Sequence, residues 1–262
     1  MAVKAIASHK LMAMLDELGE MPSPTAFDKK RVLNSIEPLK AIDAISYYSF
    51  MGVYHSILGD YESCRDDHLR ALRLSSKPEL FLNYAVSVRR LGRYSESLDI
   101  LMSGGKSHFT ALGYLSEICE TVYITGDFSK FDLAVDVFLR ANPEVQLDTA
   151  QAVKKVLELR GILELAGVPE NEYRRAMTIV NQILISNGFS NRFSMVSSGG
   201  FDGVPHISTR FAVPIAQSKI LTQINDQFAE AIISDDELSS WDRLIFTAVS
   251  SAGNPSGIGA VA

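Results

Sequence analysis

Cysteine is scarce in this chain. Two residues, Cys64 and Cys119, are too few for a disulfide framework. Both fall inside amphipathic helical segments, where a buried thiol serves as a small apolar side chain, and a reducing cytoplasm is the expected setting. Long apolar runs are missing too: none approaches the ~20 residues that a membrane span needs. The first apolar stretch is broken by His9, Lys10, Asp16 and Glu17, so no signal peptide is expected there. Val3, Ile6, Leu11, Leu15 and Leu18 share one stripe there, so a helix over 2–18 docking onto the fold is expected. Positive charge is in deficit, with 25 Lys and Arg against 31 Asp and Glu and a net charge of −6. That balance disfavours loose binding to nucleic acid or anionic lipid, both of which need a basic face.

Catalytic patterns are equally thin. Gly105-Lys106-Ser107 echoes the end of a phosphate-binding loop, but residue 100, where a glycine is needed, is Ile. Cys64 and His68 stand four apart on one helix, two ligands where zinc needs three or four, and core packing explains them and His55 better. His206 with Asp202 and Arg210 is the most suggestive polar cluster, able in principle to bind a ligand or supply a general base. No Ser or Cys sits in an elbow motif to complete it. The expectation is a non-enzyme with no metal and no cofactor.

What is present is a period. Gly59, Gly92 and Gly126 each stand two residues before an aromatic (Tyr61, Tyr94, Phe128), at intervals of 33 and 34 residues. Segments starting at Ile45, Pro78 and Leu112 superpose in kind. Large residues recur at the fourth place (Tyr48, Phe81, Leu115) and the seventh (Met51, Tyr84, Ile118), and the eighth is small (Gly52, Ala85, Cys119). Glycine at the fifteenth place supplies the left-handed backbone that ends a helix. Over about residues 45–143 the sequence resembles the tetratricopeptide-repeat (TPR) family, with Pro143 on the family's proline place in the third copy. The resemblance implies stacked helix pairs whose first helices line a concave groove. On the groove places this chain carries Phe50, Val53, Asn83, Val86, Arg89, Arg90, Ser116, Glu120 and Tyr123, the candidate partner-binding residues. The Lys and Asn clamp by which some relatives hold a C-terminal carboxylate is missing. Phe131 and Phe138 stand where the family has small residues, so the third copy's second helix should sit further out, and Gly104-Gly105 should cut the second copy short.

The rest divides around this stretch. Residues 1–40 read as N-terminal capping helices, including one over Lys29–Glu37 after the Pro22-Ser23-Pro24 loop; 41–145 as the repeats; 146–252 as a helical hairpin and α+β cap; 253–262 as a mobile tail. In the cap, helices are expected from Asp148 to about Gly167 and from Glu170 to Ser186. Strands are expected at Arg192–Val196 and His206–Val213, with the Ser/Gly run 197–203 as the turn. A helix carrying Ile220, Ile224, Phe228 and Ile232 follows, and a last helix carries Leu238, Trp241, Leu244, Ile245 and Val249 behind a Ser234/Glu237 capping pair. The fold class is mainly α: a TPR-like helical superhelix with a small C-terminal cap of hairpin plus helices. The function expected is a soluble interaction module (adaptor, inhibitor or chaperone-like) that binds a protein or peptide and neither nucleic acid nor membrane. Homodimerisation through either cap stays open. One alternative is an antitoxin- or immunity-type neutraliser of a basic partner. Another is an enzyme or ligand sensor built on His206 and Arg210.

Overall fold

The computed structural model describes residues 2–21, 23–105, 108–145, 150–190, 194–201, 203–215 and 217–251, with side chains omitted for 2–8 and 201. The chain is mainly helical, with a small three-stranded sheet towards its C-terminus. It packs as two compact units, 1–108 and 109–262.

The first unit holds α1 (Ala2–Glu20), α2 (Ala26–Ile36), α3 (Leu39–Ile42), α4 (Ala44–Ile57), α5 (Tyr61–Leu74), α6 (Pro78–Arg90) and α7 (Tyr94–Ser103). Local chemistry sets their ends. Thr25 opens α2 earlier than the expected Lys29, because its hydroxyl accepts from the Asp28 N–H while the Asp28 carboxylate accepts from the Thr25 N–H. Asp43 and Asp60 cap α4 and α5 by accepting from the N–H groups of Ser46 and Ser63. Gly59 and Gly92, at φ 79° and 78°, turn the chain between the helices of each pair, and α7 stops at Gly104-Gly105.

α4 is the hub of this unit, with α5 along one side, α6 along another, and α1 and α2 against a third. It lies close to α5 because Gly52 has no side chain: a Cβ there would sit 2.5 Å from the His68 ring. That ring cannot step aside, since it stacks on Tyr84 at 5.0 Å and its Nε2 is hydrogen-bonded to Ser87 Oγ at 2.9 Å. Gly52→Ala should therefore cost about 1–2 kcal/mol, the overpacking penalty exceeding the gain in helix propensity. Chemical denaturation would measure it; a stabilised variant would show that the helices can separate at no cost.

The second unit holds α8 (Leu112–Thr125), α9 (Phe128–Ala141), α10 (Gln151–Ala166), α11 (Glu170–Ser186), β1 (Ser194–Phe201), β2 (Val204–Val213), α12 (Ser218–Ile233), a 3-10 turn (Trp241–Arg243) and β3 (Leu244–Ser250). Gly126, at φ 72°, again precedes the aromatic that opens the next helix. α8 and α9 lie further apart than α4 and α5. Phe131 and Phe138 of α9 are buried, as are the smaller Cys64 and Ala71 of α5.

The sheet departs from expectation in two ways. The strands extend into the Ser/Gly run, so β1 and β2 pair antiparallel from Ser194↔Phe211 to Phe201↔Val204, around Gly203 at φ 82°. Arg192 and its neighbours at 191–193 lie outside the described residues, as do Asp148 and the tail from 252. The second departure is larger: Leu244–Ser250 is no helix but a strand parallel to β2, with α12 as the crossover. Leu244, Phe246 and Ala248 are buried, and Ile245 is exposed between them. Ile-Phe-Thr-Ala-Val carries a strand's alternation and β-branching, which outweigh the helical spacing of Trp241, Leu244 and Ile245. The sheet's inner face (Ile207, Phe211, Val213, Leu244, Phe246) packs on Ile224, Phe228 and Ile232 of α12.

Candidate interaction surfaces

The groove places of the first unit lie on α4 and α6. Phe50 and Val53 are not an open surface: both are buried in one cluster with Leu11, Leu15 and Leu18 of α1 and Val32 and Ile36 of α2. The N-terminal helices bury the apolar end of the expected groove, because leucines on one helical stripe need a cover as much as Phe50 does. On α6 more stays accessible, with Asn83, Val86, Arg89 and Arg90 half-buried. Asn83 donates to Ser49 Oγ at 3.1 Å and Arg90 to Ser56 Oγ at 3.0 Å. Each bond spans 34 residues, one more than the 33 that separate Gly59 from Gly92, and ties α6 to α4. Tyr61 donates to Glu96 at 2.7 Å under the Arg93 guanidinium, which makes the same link between α5 and α7.

In the second unit, the three candidates on α8 are engaged. Ser116 donates to the Leu112 carbonyl at 2.9 Å. Glu120 accepts from Lys155 of α10 at 3.2 Å. The Tyr123 hydroxyl accepts from the Val196 N–H of β1 at 3.3 Å, and burial pushes its pKa up. The chain's own C-terminal elements thus cover part of this face.

The two thiols and His68 are interior groups. Burial pushes Cys64 and Cys119 up to about 12 and His68 down to about 3. His55 stands between Asp60 and Asp67, 3.8 and 3.5 Å away. Among the described residues no group of three or more His, Cys, Asp or Glu could hold a metal ion.

On the sheet, His206, Ser208 and Arg210 share one face of β2, with about 13 Å between the Cα atoms of His206 and Arg210 at ordinary strand rise. His206 lies over Gly199 and Arg210 pairs with Met195, so the two do not converge on one point. Asp202 and the Lys106-Ser107 pair lie outside the described residues.

Several polar residues that position the sheet carry no local signature in the sequence. Glu172 is buried and accepts from the Ser239 hydroxyl at 2.6 Å and the Ser240 N–H at 2.8 Å. Burial raises its pKa, but these bonds outweigh that and hold it low. Arg175 pins Asp235 and Glu237, both at 2.7 Å, so Glu237 serves α11 and not a helix cap. Arg243 donates to the Ala166 carbonyl at the end of α10 at 3.0 Å and passes beside Gly167, where a Cβ would lie 2.5 Å from its Nη1. These bonds deliver the chain from α12 to the start of β3.

Comparison with protein-family models, with curated proteins and with solved structures finds no match to this chain. No described helix is long and apolar enough to cross a membrane.

Proposed function

We propose that the chain is a protein–protein interaction module built of TPR-like helix pairs, holding a partner segment against the accessible face of α6. Support comes chiefly from the first unit, where α4/α5 and α6/α7 share one construction, a left-handed glycine and an aromatic opening the second helix, and where side-chain bonds join α6 to α4. Helix pairs that stack through equivalent places offer a continuous face, and a face of half-buried Val86 and Asn83 beside Arg89 suits a segment with an apolar anchor and a carboxylate. The net charge of −6 favours a basic protein as the owner of that segment, acting at long range while the anchor acts at contact. An adaptor, an inhibitor and a chaperone-like holder all fit this description.

The double variant Val86→Asp, Arg89→Glu tests it, since both positions are half-buried and neither fills the core. Co-purification from the native source should yield a stoichiometric partner with the unaltered chain and at least about tenfold less with the variant, at unchanged melting temperature. Equal recovery with both proteins, or no partner with either, would remove the proposal.

A further inference from the structure

The sheet has two edges, β1 and β3, and the molecule treats them differently. On β3 the Ala248 N–H donates to Asn225 Oδ1 at 2.7 Å, and Asn225 Nδ2 donates to the Ala248 carbonyl at 3.3 Å. The side-chain amide thus takes the place a further strand would take. Among the described residues, none plugs β1 in this way at 197–200. In an antiparallel pair alternate residues turn their backbone groups away from the partner strand. Val196 is one of these, because its N–H reaches Tyr123; Ser198 and Gly200 share its phase and face outward. Pro205 opposite Gly200 agrees with this phase, since that pair asks for no N–H from it. Tyr123 closes the edge at Val196, whereas residues 197–200 are exposed.

Exposed edges are usually blunted by lysine, proline or a bulge. β1 reads Ser-Met-Val-Ser-Ser-Gly-Gly-Phe, with no charge and no proline. The three strands hold no Asp or Glu, in a chain with 31 of them. Their charged or titratable side chains are His206 and Arg210, both on the face shared with Met195 and Gly199. Gly199 leaves its side-chain place empty, and the imidazole fills it: a Cβ there would lie 2.5 Å from His206 Nε2. The residue of an added strand that stands opposite Gly199 would meet that ring.

We propose that β1 accepts an extended segment of a partner protein as a fourth, antiparallel strand. The backbone groups of Ser198 and Gly200 supply the pairing. A carboxylate opposite Gly199 is read by His206, with Arg210 on the same face adding to the attraction. This surface belongs to the second unit and the α6 face to the first, and either proposal can fail without the other.

Two fluorescein-labelled hexapeptides test it by anisotropy on the full chain: Val-Thr-Val-Asp-Val-Thr and the same peptide with Lys for Asp. The aspartate peptide should bind about tenfold tighter than the lysine peptide. Ser198→Pro removes an outward N–H but no bond of the hairpin, and should weaken the aspartate peptide by about tenfold or more. His206→Ala should shrink the preference to about twofold or less. If Ser198→Pro lowers the melting temperature, aspartate peptide N-methylated at alternate residues replaces it, with the same loss expected on the unaltered protein. Three results would overturn the proposal: neither peptide binds; backbone blocking leaves affinity unchanged; or the protein forms a concentration-dependent dimer that Ser198→Pro abolishes, which would make a second copy the occupant.

Discussion

Acidification from pH 7 to pH 4 should cost the folded chain about 3 kcal/mol through His68 alone. Burial between α4, α5 and α6 holds this imidazole at about 3, against 6.5 for a free side chain. Below pH 6.5 the unfolded chain takes up a proton that the folded chain refuses, so stability falls as pH drops towards 3 and levels off beneath it. Asp67, one residue away, acts in the opposite direction: burial raises its pKa more than His55 and Arg70 lower it. That contribution is common to the native protein and to His68→Gln. Urea denaturation of both at pH 7 and pH 4 isolates the histidine. His68→Gln should be less stable at pH 7, where it loses the stacking on Tyr84, and should lose about 3 kcal/mol less on acidification. Equal acid losses would show that His68 is protonated inside the fold.

The largest single loss expected in the second unit follows from Phe211→Ala, at about 3–5 kcal/mol. Phe211 is 1 % exposed and touches two other elements of the core, Phe228 of α12 at 5.7 Å and Phe246 of β3 at 6.3 Å. Truncation leaves a cavity among three elements that backbone and side-chain bonds hold apart, including the pair between Asn225 and Ala248, so the site cannot readily collapse. The single tryptophan, Trp241, stands at the entry to β3 and reports on this unit by fluorescence. A variant whose denaturation midpoint matches that of the unaltered protein would mean that Phe211 is not a keystone of the sheet.

Much of the helical architecture is legible in residue order because its signals are local. Gly59, Gly92 and Gly126 are left-handed in the structure, as a glycine two residues ahead of an aromatic helix start requires. α11 spans Glu170–Ser186, between Pro169 and the Asn187-Gly188 pair that mark its ends. Thr25 and Asp28 form a capping box that stands in the sequence as plainly as any other, although the proline loop before it draws the helix start later. β3 was not legible: the alternation from Leu244 to Ala248 competes there with an equally regular helical spacing, and the parallel partner β2 decides between them.

The candidate sites were less legible. Phe50 and Val53 occupy places that the repeat pattern assigns to an open groove, yet no local signal says that α1 will lie across them. Tyr123 likewise meets Val196, 73 residues away. Asn225, Glu172, Arg175 and Arg243 look like surface residues until their partners, from 23 to 77 residues distant, are brought to them.

Residue order by itself determined where helices begin and end, which of their faces are apolar, and that charge and thiol content disfavour a basic binding face and a disulfide scaffold. Those properties depend on neighbours within a turn or two, where backbone sterics, capping bonds and apolar periodicity act directly. Tertiary structure alone decided which apolar faces cover one another, that the last segment joins a sheet, and that Asn225 meets one sheet edge while residues 197–200 of the other are exposed. Such choices rest on contacts between distant segments, whose free energy exists only once the chain has closed on itself.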